Sequence, residues 1–257
     1  MPLEVAVIQH DIAWEDHATT LSRLSGMLDR AAASGAELAV LPEMFATGWS
    51  MQTERTAQRE DGPIVSWMKE RAAALDLVIA GSVATNVDGA LPANRMLVVD
   101  ADGVVERYDK IHLVTVFAEH TVGESQRFGG GDMTVVTQIG GVRFGLTICY
   151  DLRFGDLFWD MAEHVDAYIV IANWPAVRQH HWTNLLRTRA IENQAYVIAA
   201  NRIGQGGGLD FAGDSCVIDP MGEILANAEG IETTISAKVD EEIVAGIRST
   251  FPFLADR

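Results

Sequence analysis

The sequence predicts an α/β protein, a four-layer α-β-β-α sandwich in which two mixed sheets pack face to face beneath outer helices. Three observations lead there. Apolar strand-like runs alternate with helical periodicity through the first half of the chain. Elsewhere strands follow one another through short turns, as at Asp100-Ala101-Asp102-Gly103, whose Asp-Gly step is a hairpin signal. Of the 257 residues, 48% are apolar, enough for a substantial core. No linker, low-complexity segment or repeat divides the chain, so residues 1–257 are read as one domain, with a tail of about 247–257 assigned to oligomer contacts. A single doubly wound sheet is the competing arrangement.

Leu3 to Gln9 alternates as a strand. A helix follows from about Asp16 to Ser34, with Leu21, Leu24, Leu28 and Ala31 at helical spacing and Gly35 closing it. Glu37 to Leu41 reads as a second, buried strand ending at Pro42-Glu43. Pro63 to Asp76 is the next helix and Leu77 to Ala84 the next strand. Asn94–Asp100 and Gly103–Tyr108 form the hairpin. Lys110 to Asp132 shows no periodicity, and irregular stretches of that length inside a domain are usually functional. Strands resume at Thr134–Ile139 and Val142–Ile148. A helix over 155–164 leads to strand Ala167–Ala172, a helix from Gln179 to Ala195, and strand Tyr196–Asn201. A glycine-rich loop (Gly204, Gly206, Gly207, Gly208) precedes strands Asp214–Asp219, Glu223–Ala226 and Ile231–Val239, then a short helix and an extended end.

Composition removes several classes of function. Nineteen basic residues against 36 acidic ones give a net charge of −17, which repels nucleic-acid phosphates and anionic lipid. An anionic substrate therefore needs a local cationic receptor. Two cysteines, Cys149 and Cys216, are too few for a disulfide framework and fit a reducing compartment. The strand pattern beginning at Leu3 leaves no leader, and no run is long enough to span a bilayer. These features imply a cytoplasmic protein. Metal-ligand spacing is absent, and His180 and His181, as neighbours on a helix, point apart. No cofactor is expected.

The chain turns on Thr147-Ile148-Cys149-Tyr150-Asp151-Leu152-Arg153-Phe154. Cys149 ends a strand just before a helix, the place where open α/β folds set ligands. The N–H groups after it approach a helix N-terminus and can hold an anion. A small buried hydrophobe is the alternative, since free cysteine is among the most buried residue types. Leu41-Pro42-Glu43-Met44-Phe45 puts a carboxylate at the end of an apolar strand, where it suits a base. Arg107-Tyr108-Asp109-Lys110-Ile111-His112-Leu113 puts a lysine at the end of another. Each alone also reads as a surface charge or a structural ion pair.

Taken in order, Leu-Pro-Glu, Asp-Lys-Ile-His-Leu and Ile-Cys-Tyr-Asp-Leu-Arg-Phe resemble the nitrilase superfamily of carbon–nitrogen hydrolases. Further matching words are Asn173-Trp174-Pro175, Arg187-Thr188-Arg189-Ala190-Ile191-Glu192-Asn193-Gln194, Asn201-Arg202 and Gly213 to Gly222. The resemblance implies the nitrilase-like sandwich and a Glu-Lys-Cys triad of Glu43, Lys110 and Cys149. A second family glutamate follows the lysine, and Glu119, in Phe117-Ala118-Glu119-His120, is matched to it ahead of Glu124. The implied chemistry is attack by Cys149 on an amide carbonyl, with Glu43 as base and a thioester intermediate. Lys110 and the Tyr150 N–H hold the oxyanion, and Glu119 fixes Lys110 or the amide.

Pro-Glu-Met-Phe, Ala-Asn-Trp-Pro, Arg-Ala-Ile-Glu-Asn-Gln-Ala-Tyr and Phe251-Pro252-Phe253-Leu254 are closest to the omega-amidase branch, which hydrolyses terminal amides of 2-oxo acids such as 2-oxoglutaramate. Gly155 departs from it where relatives carry proline. A nitrilase, a carbamoyl hydrolase, a general aliphatic amidase and an idle binding member are the alternatives. Relatives pair through helices beside the cysteine and exchange tails, so a homodimer or higher homo-oligomer is implied. For the substrate carboxylate, Arg178 is the candidate receptor, with Trp174 and Phe45 as apolar walls. His112 is read as structural, Cys216 as packing, Asp151 and Arg153 as a structural pair, and Gly129-Gly130-Gly131 as a connector.

Overall fold

A computed structural model of the chain describes residues 1–115 and 123–256. Strand β1 (Leu3–Gln9) is followed by helix α1 (His17–Ala33), capped by the Asp16 side chain, which accepts from Thr19 N–H at 3.1 Å. Then come β2 (Leu38–Val40), a single helical turn α2 (Thr53–Thr56), α3 (Pro63–Leu75) with proline in its first turn, β3 (Val78–Thr85), β4 (Ala93–Asp100) and β5 (Gly103–Asp109). The second half contains β6 (Val136–Ile139), β7 (Val142–Ile148), α4 (Gly155–Met161), β8 (Ala167–Ala172), α5 (Gln179–Asn193), β9 (Tyr196–Asn201), β10 (Ile203–Gly206), β11 (Leu209–Ala212), β12 (Cys216–Ile218), β13 (Ile224–Asn227), β14 (Thr233–Val239) and α6 (Glu241–Thr250).

Two six-stranded sheets result, ordered β14-β1-β2-β3-β4-β5 and β13-β12-β9-β8-β7-β6. Each has three parallel strands at its heart, β1–β3 and β7–β9, with antiparallel strands outside. The central runs are buried on both faces, as parallel strands require. One core fills the space between the sheets and extends to α4 and α5, through residues such as Val5, Val40, Leu146, Ile171 and Trp182. A second lies between the first sheet and α1 with α3, through Leu24, Leu28, Met68 and Ile79. The arrangement is the predicted sandwich of two mixed sheets with flanking helices, not one doubly wound sheet.

Topology gathers the strand ends. β4 reverses direction and β5 reverses again, so β5 runs parallel to β3 and ends at the same edge as β1–β3. The segments after β2, β5, β7 and β8 thereby bring Glu43, Lys110, Cys149 and Asn173 together. Local details differ from the sequence reading. The glycine-rich loop is the β10–β11 hairpin, and Gly206 and Gly207 leave room for Trp14, whose ring a Cβ at either would strike at 2.4–2.7 Å. The helix expected over 155–164 ends at Met161 and tightens into a 3₁₀ turn, Ala162–His164. Among the described residues, no helix is long and apolar enough to cross a membrane.

Candidate active site

Cys149 opens a 3₁₀ turn, Cys149–Arg153, directly after β7. Its φ is +50°, a left-handed conformation that a non-glycine residue adopts at a cost of roughly 1–3 kcal/mol and that clusters at functional sites. Asp151 holds the elbow. Its Oδ2 accepts from the Ile148 N–H at 2.9 Å and the Tyr108 hydroxyl at 2.7 Å. Its Oδ1 accepts from the His112 N–H at 2.9 Å and pairs with His112 Nδ1 at 3.0 Å. Tyr108 and His112 flank Lys110, so one buried carboxylate ties the lysine strand to the cysteine turn.

Lys110 is fully buried. Its Nζ donates to Glu43 Oε1 at 2.9 Å and to Glu124 Oε1 and Oε2 at 3.0 and 2.9 Å. Burial works against the ammonium charge, but the carboxylates of Glu124 and Glu43 outweigh it and hold the lysine well above its usual range. Glu43, also fully buried, accepts from Asn94 Nδ2 at 2.7 Å on Oε1 and from the Asn173 N–H at 2.8 Å on Oε2. The Asn173 side-chain amide bonds back to the Glu43 carbonyl. Ser82 Oγ donates to Asn94 Oδ1 at 2.9 Å and accepts from the Met44 N–H at 2.8 Å, fixing the turn that carries Glu43.

The Cys149 thiol faces the charges of Glu43 and Lys110, and its pKa is pushed well above the usual thiol range. Burial is the largest cause, followed by the charge of Glu43; Lys110 opposes them. The thiol thus keeps its proton at neutral pH. A thiolate would add a second net negative charge to a dry cluster that already holds two carboxylates and one ammonium. The arrangement can transfer the proton to Glu43 as the sulfur forms a bond, and can present an ammonium to an oxyanion beside it. Cys216 is a different case. It lies in β12, buried, and burial first, then the charge of Asp214 against that of Arg187, pushes its thiol up to about 12, which fits packing.

A cavity of about 280 Å³ opens onto Cys149. Its walls include Trp49, Tyr150, Arg153, Trp174, Arg178 and His181. Trp174 is held by its ring N–H, which donates to the Arg178 carbonyl at 2.8 Å, and by its backbone N–H, which donates to Asn201 Oδ1 at 2.8 Å. Lys110 Nζ lies 5.9 Å from the Trp49 ring centre.

The sequence-chosen residues fall out as follows. Glu43, Lys110 and Cys149 meet, Tyr150 follows the cysteine, and Trp174 and Arg178 line the cavity. Phe45 does not line it. Phe45 is fully buried on the helix side of the first sheet, 6.0 Å from the Trp67 ring and against Gly81, because the turn after Pro42 sends Glu43 and Phe45 to opposite sides. Trp49 is the aromatic wall from that segment. Glu119 lies outside the described residues; among the described ones, Lys110 is held, beside Glu43, by Glu124, the residue ranked second. The expected Asp151–Arg153 pair does not form: Asp151 is saturated by Ile148, Tyr108 and His112, and Arg153 turns into the cavity. His112 keeps its structural reading, stacked on Phe154 at 3.6 Å. Asn94, Trp49 and His181 were missed. The irregular segments around Trp49 and Glu124 offered only a residue type and no periodicity from which to place it.

The family model described as "Carbon-nitrogen hydrolase" matches residues 4–248. The chain is similar to the omega-amidase YafV of Escherichia coli (strain K12), 36% identical over 256 residues and covering 99% of this chain and 96% of that one. It is 30% identical over 262 residues to the 2-oxoglutaramate amidase of Bacillus subtilis (strain 168), covering 100% and 98%. Among solved structures, XC1258 from Xanthomonas campestris, a CN-hydrolase superfamily protein with an arsenic adduct in its active site, matches with TM-score 0.93 at 32% identity, covering 100% of this chain and 97% of that one.

Proposed function

The chain belongs to the carbon–nitrogen hydrolase family, hydrolases of carbon–nitrogen bonds other than peptide bonds, and from that premise we propose that it is an amidase of small 2-oxo dicarboxylic acid monoamides, 2-oxoglutaramate or 2-oxosuccinamate. The observation that carries the reading is the buried Glu43–Lys110–Cys149 cluster opening onto a cavity sized for a small molecule. The names of two relatives, each 30% or more identical over the whole chain, support the substrate class.

In the proposed reaction Glu43 takes the thiol proton as Cys149 Sγ bonds to the amide carbon. The oxyanion that develops is met by the Lys110 ammonium and the Tyr150 N–H. Losing one such donor typically lowers the rate by about 100- to 1,000-fold. Glu43 returns its proton to the departing nitrogen, and ammonia leaves a thioester on Cys149. Glu43 then takes a proton from water, the water oxygen attacks the thioester, and collapse releases the acid and restores the thiol. Glu124 keeps Lys110 in place throughout, the role the sequence reading gave to Glu119.

Ammonia release tests this with 2-oxoglutaramate, 2-oxosuccinamate, glutamine, pentanamide, a nitrile and an N-carbamoyl amino acid. The two 2-oxo acid monoamides are expected to have the highest kcat/KM, to lose turnover in Cys149→Ala and to keep most of it in Cys216→Ala. Preference for pentanamide would make the protein a general aliphatic amidase instead. The reading extends to a cytoplasmic homodimer. Supporting it are two free, buried cysteines and an apolar tail whose Phe251 is 66% exposed. Sedimentation showing a fully active monomer would remove the dimer.

A further inference from the structure

Four hydrogen bonds close a ring beside the nucleophile. Lys110 Nζ donates to Glu43 Oε1 at 2.9 Å and to Glu124 Oε1 at 3.0 Å. Asn94 Nδ2 donates to the same two oxygens, at 2.7 and 3.2 Å. Donors and acceptors alternate around the ring, so each of the two oxygens is held from two sides. All four residues are fully buried. Two carboxylates in so dry a place repel each other, and the ammonium and amide N–H groups between them offset that repulsion. The Lys110 N–H also donates to the Asn94 carbonyl at 3.0 Å, so the two donors of the ring are carried by adjoining backbone.

Ser82 fixes which way the Asn94 amide sits. Asn94 on β4 stands opposite Ala84 of β3, and Ser82 opposite Met96, so the two side chains are diagonal neighbours on one face. Ser82 Oγ accepts from the Met44 N–H at 2.8 Å, which leaves its own proton for Asn94 Oδ1 at 2.9 Å. Nδ2 is thereby aimed at the carboxylates. Turning the amide over would set Oδ1 against two carboxylate oxygens. The ring in turn makes the two oxygens of Glu43 unlike. A carboxylate oxygen has about two acceptor sites. On Oε1 both are filled, by Lys110 and Asn94. Oε2 accepts, among the described residues, from the Asn173 N–H at 2.8 Å, and its second site is left for a proton.

We propose that Asn94, oriented by Ser82, is the positioning residue of the base: with Lys110 it fixes Glu43 Oε1, and Oε2 is the atom that carries the proton in both halves of the reaction. This rests on the amidase reading for the steps that are served. In the first half the proton passes from Cys149 Sγ to Oε2 as Sγ bonds to the carbonyl carbon. It then moves to the departing nitrogen as the carbon–nitrogen bond breaks. In the second half a water proton passes to the same oxygen as the water oxygen bonds to the thioester carbon. That proton returns to Sγ as the carbon–sulfur bond breaks.

The experiment follows p-nitrophenyl acetate, an activated ester that separates the two halves: the burst of nitrophenolate reads acylation of Cys149, and the steady rate reads deacylation. Asn94→Ala is expected to lower both rates at least about tenfold, the scale of a misplaced catalytic group. With 2-oxoglutaramate, kcat should fall by a similar factor while KM stays within about threefold of the parent. Asn94→Asp keeps the shape but puts an acceptor where the donor stood, and is expected to lose at least as much. Ser82→Ala leaves the ring in place and frees the amide, so a loss of about threefold or more in both rates is expected.

Thermal melts by circular dichroism show which variants are folded. A folded Asn94→Ala protein with both rates unchanged overturns the proposal. So does a loss confined to KM or to acylation, because a distorted pocket would spare deacylation whereas a displaced base slows both halves. If the Asn94 variants do not fold, Ser82→Ala decides, and unchanged rates in that variant overturn the proposal. A parent that gives the burst but releases no ammonia from either 2-oxo acid monoamide removes the substrate reading, and the role of Asn94 is then read from the ester alone.

Discussion

Glu124→Gln is the sharpest test of how the lysine is held. Glu124 is fully buried and accepts four hydrogen bonds. Oε1 takes Lys110 Nζ at 3.0 Å and Asn94 Nδ2 at 3.2 Å, and Oε2 takes Lys110 Nζ at 2.9 Å and the Val114 N–H at 3.0 Å. All the partners are donors, so a glutamine amide must turn its NH₂ toward two of them whichever way it sits. One charged hydrogen bond is lost, about 1.5–3 kcal/mol, and one neutral one, about 0.5–1.5 kcal/mol. Lys110 keeps Glu43, so the full penalty of orphaning a buried charge is avoided. A destabilisation of about 3 kcal/mol is expected, which for a domain of this size lowers Tm by roughly 6–12 °C.

Activity should fall further than stability. With one anchor gone, the ammonium is free to shift toward Glu43, and a misplaced oxyanion donor is expected to lower kcat by about 10- to 100-fold while KM changes little. Calorimetry and steady-state ammonia release read the two effects on the same sample. Glu119→Gln, measured alongside, decides which carboxylate serves the lysine, with the larger loss expected at Glu124. A Glu124→Gln protein that melts within about 2 °C of the parent and retains its kcat refutes the argument. One that is destabilised yet fully active refutes its catalytic half.

Two further outcomes follow from buried polar groups. Asp151→Asn also puts an amide NH₂ among donors. It should loosen the tie between Tyr108–His112 and the Cys149 turn, with kcat falling at least about tenfold, KM nearly constant and the iodoacetamide rate at Cys149 altered; unchanged kcat would show that the elbow holds its shape without the tie. His10 is buried, and burial, with lesser contributions from Arg202 and Arg23, lowers its pKa to about 3. The unfolded chain binds this proton near pH 6.5. The folded chain resists it, so the stabilisation is complete above that pH and is lost as pH falls from 6.5 toward 3. From this residue alone, urea unfolding at pH 5 should show a stability about 2 kcal/mol below that at pH 7.5, and a His10→Gln variant should lose that component of the slope.

Much of the scaffold was legible in the sequence because its signals are local. Strand runs such as Leu3–Gln9 and Val142–Ile148 carry their own apolar pattern, and hairpin and helix-end residues punctuate them. Glu43, Lys110 and Cys149 were singled out as a triad by the resemblance of their motifs to the nitrilase superfamily, and their placement made a shared crevice plausible. Each stands where a recognisable strand stops, and parallel strands that stop on one edge leave few places for such residues except a common crevice. Tertiary structure alone decided the choices among equivalent residues. Nothing local marks Glu124 as a partner of the lysine; its carboxylate reaches Lys110 and Asn94 because the chain returns to them there. Phe45 and Trp49 are both aromatics after the same strand, and the geometry of one turn sends the first into a core and the second to the cavity. Asp151 and Arg153 look like a pair in sequence. Long-range donors from Tyr108 and His112 saturate the carboxylate, and the arginine is released toward His181 and Trp174. Periodicity encodes which face of an element is buried, whereas the partner of a buried charge is set by whichever distant segment arrives beside it.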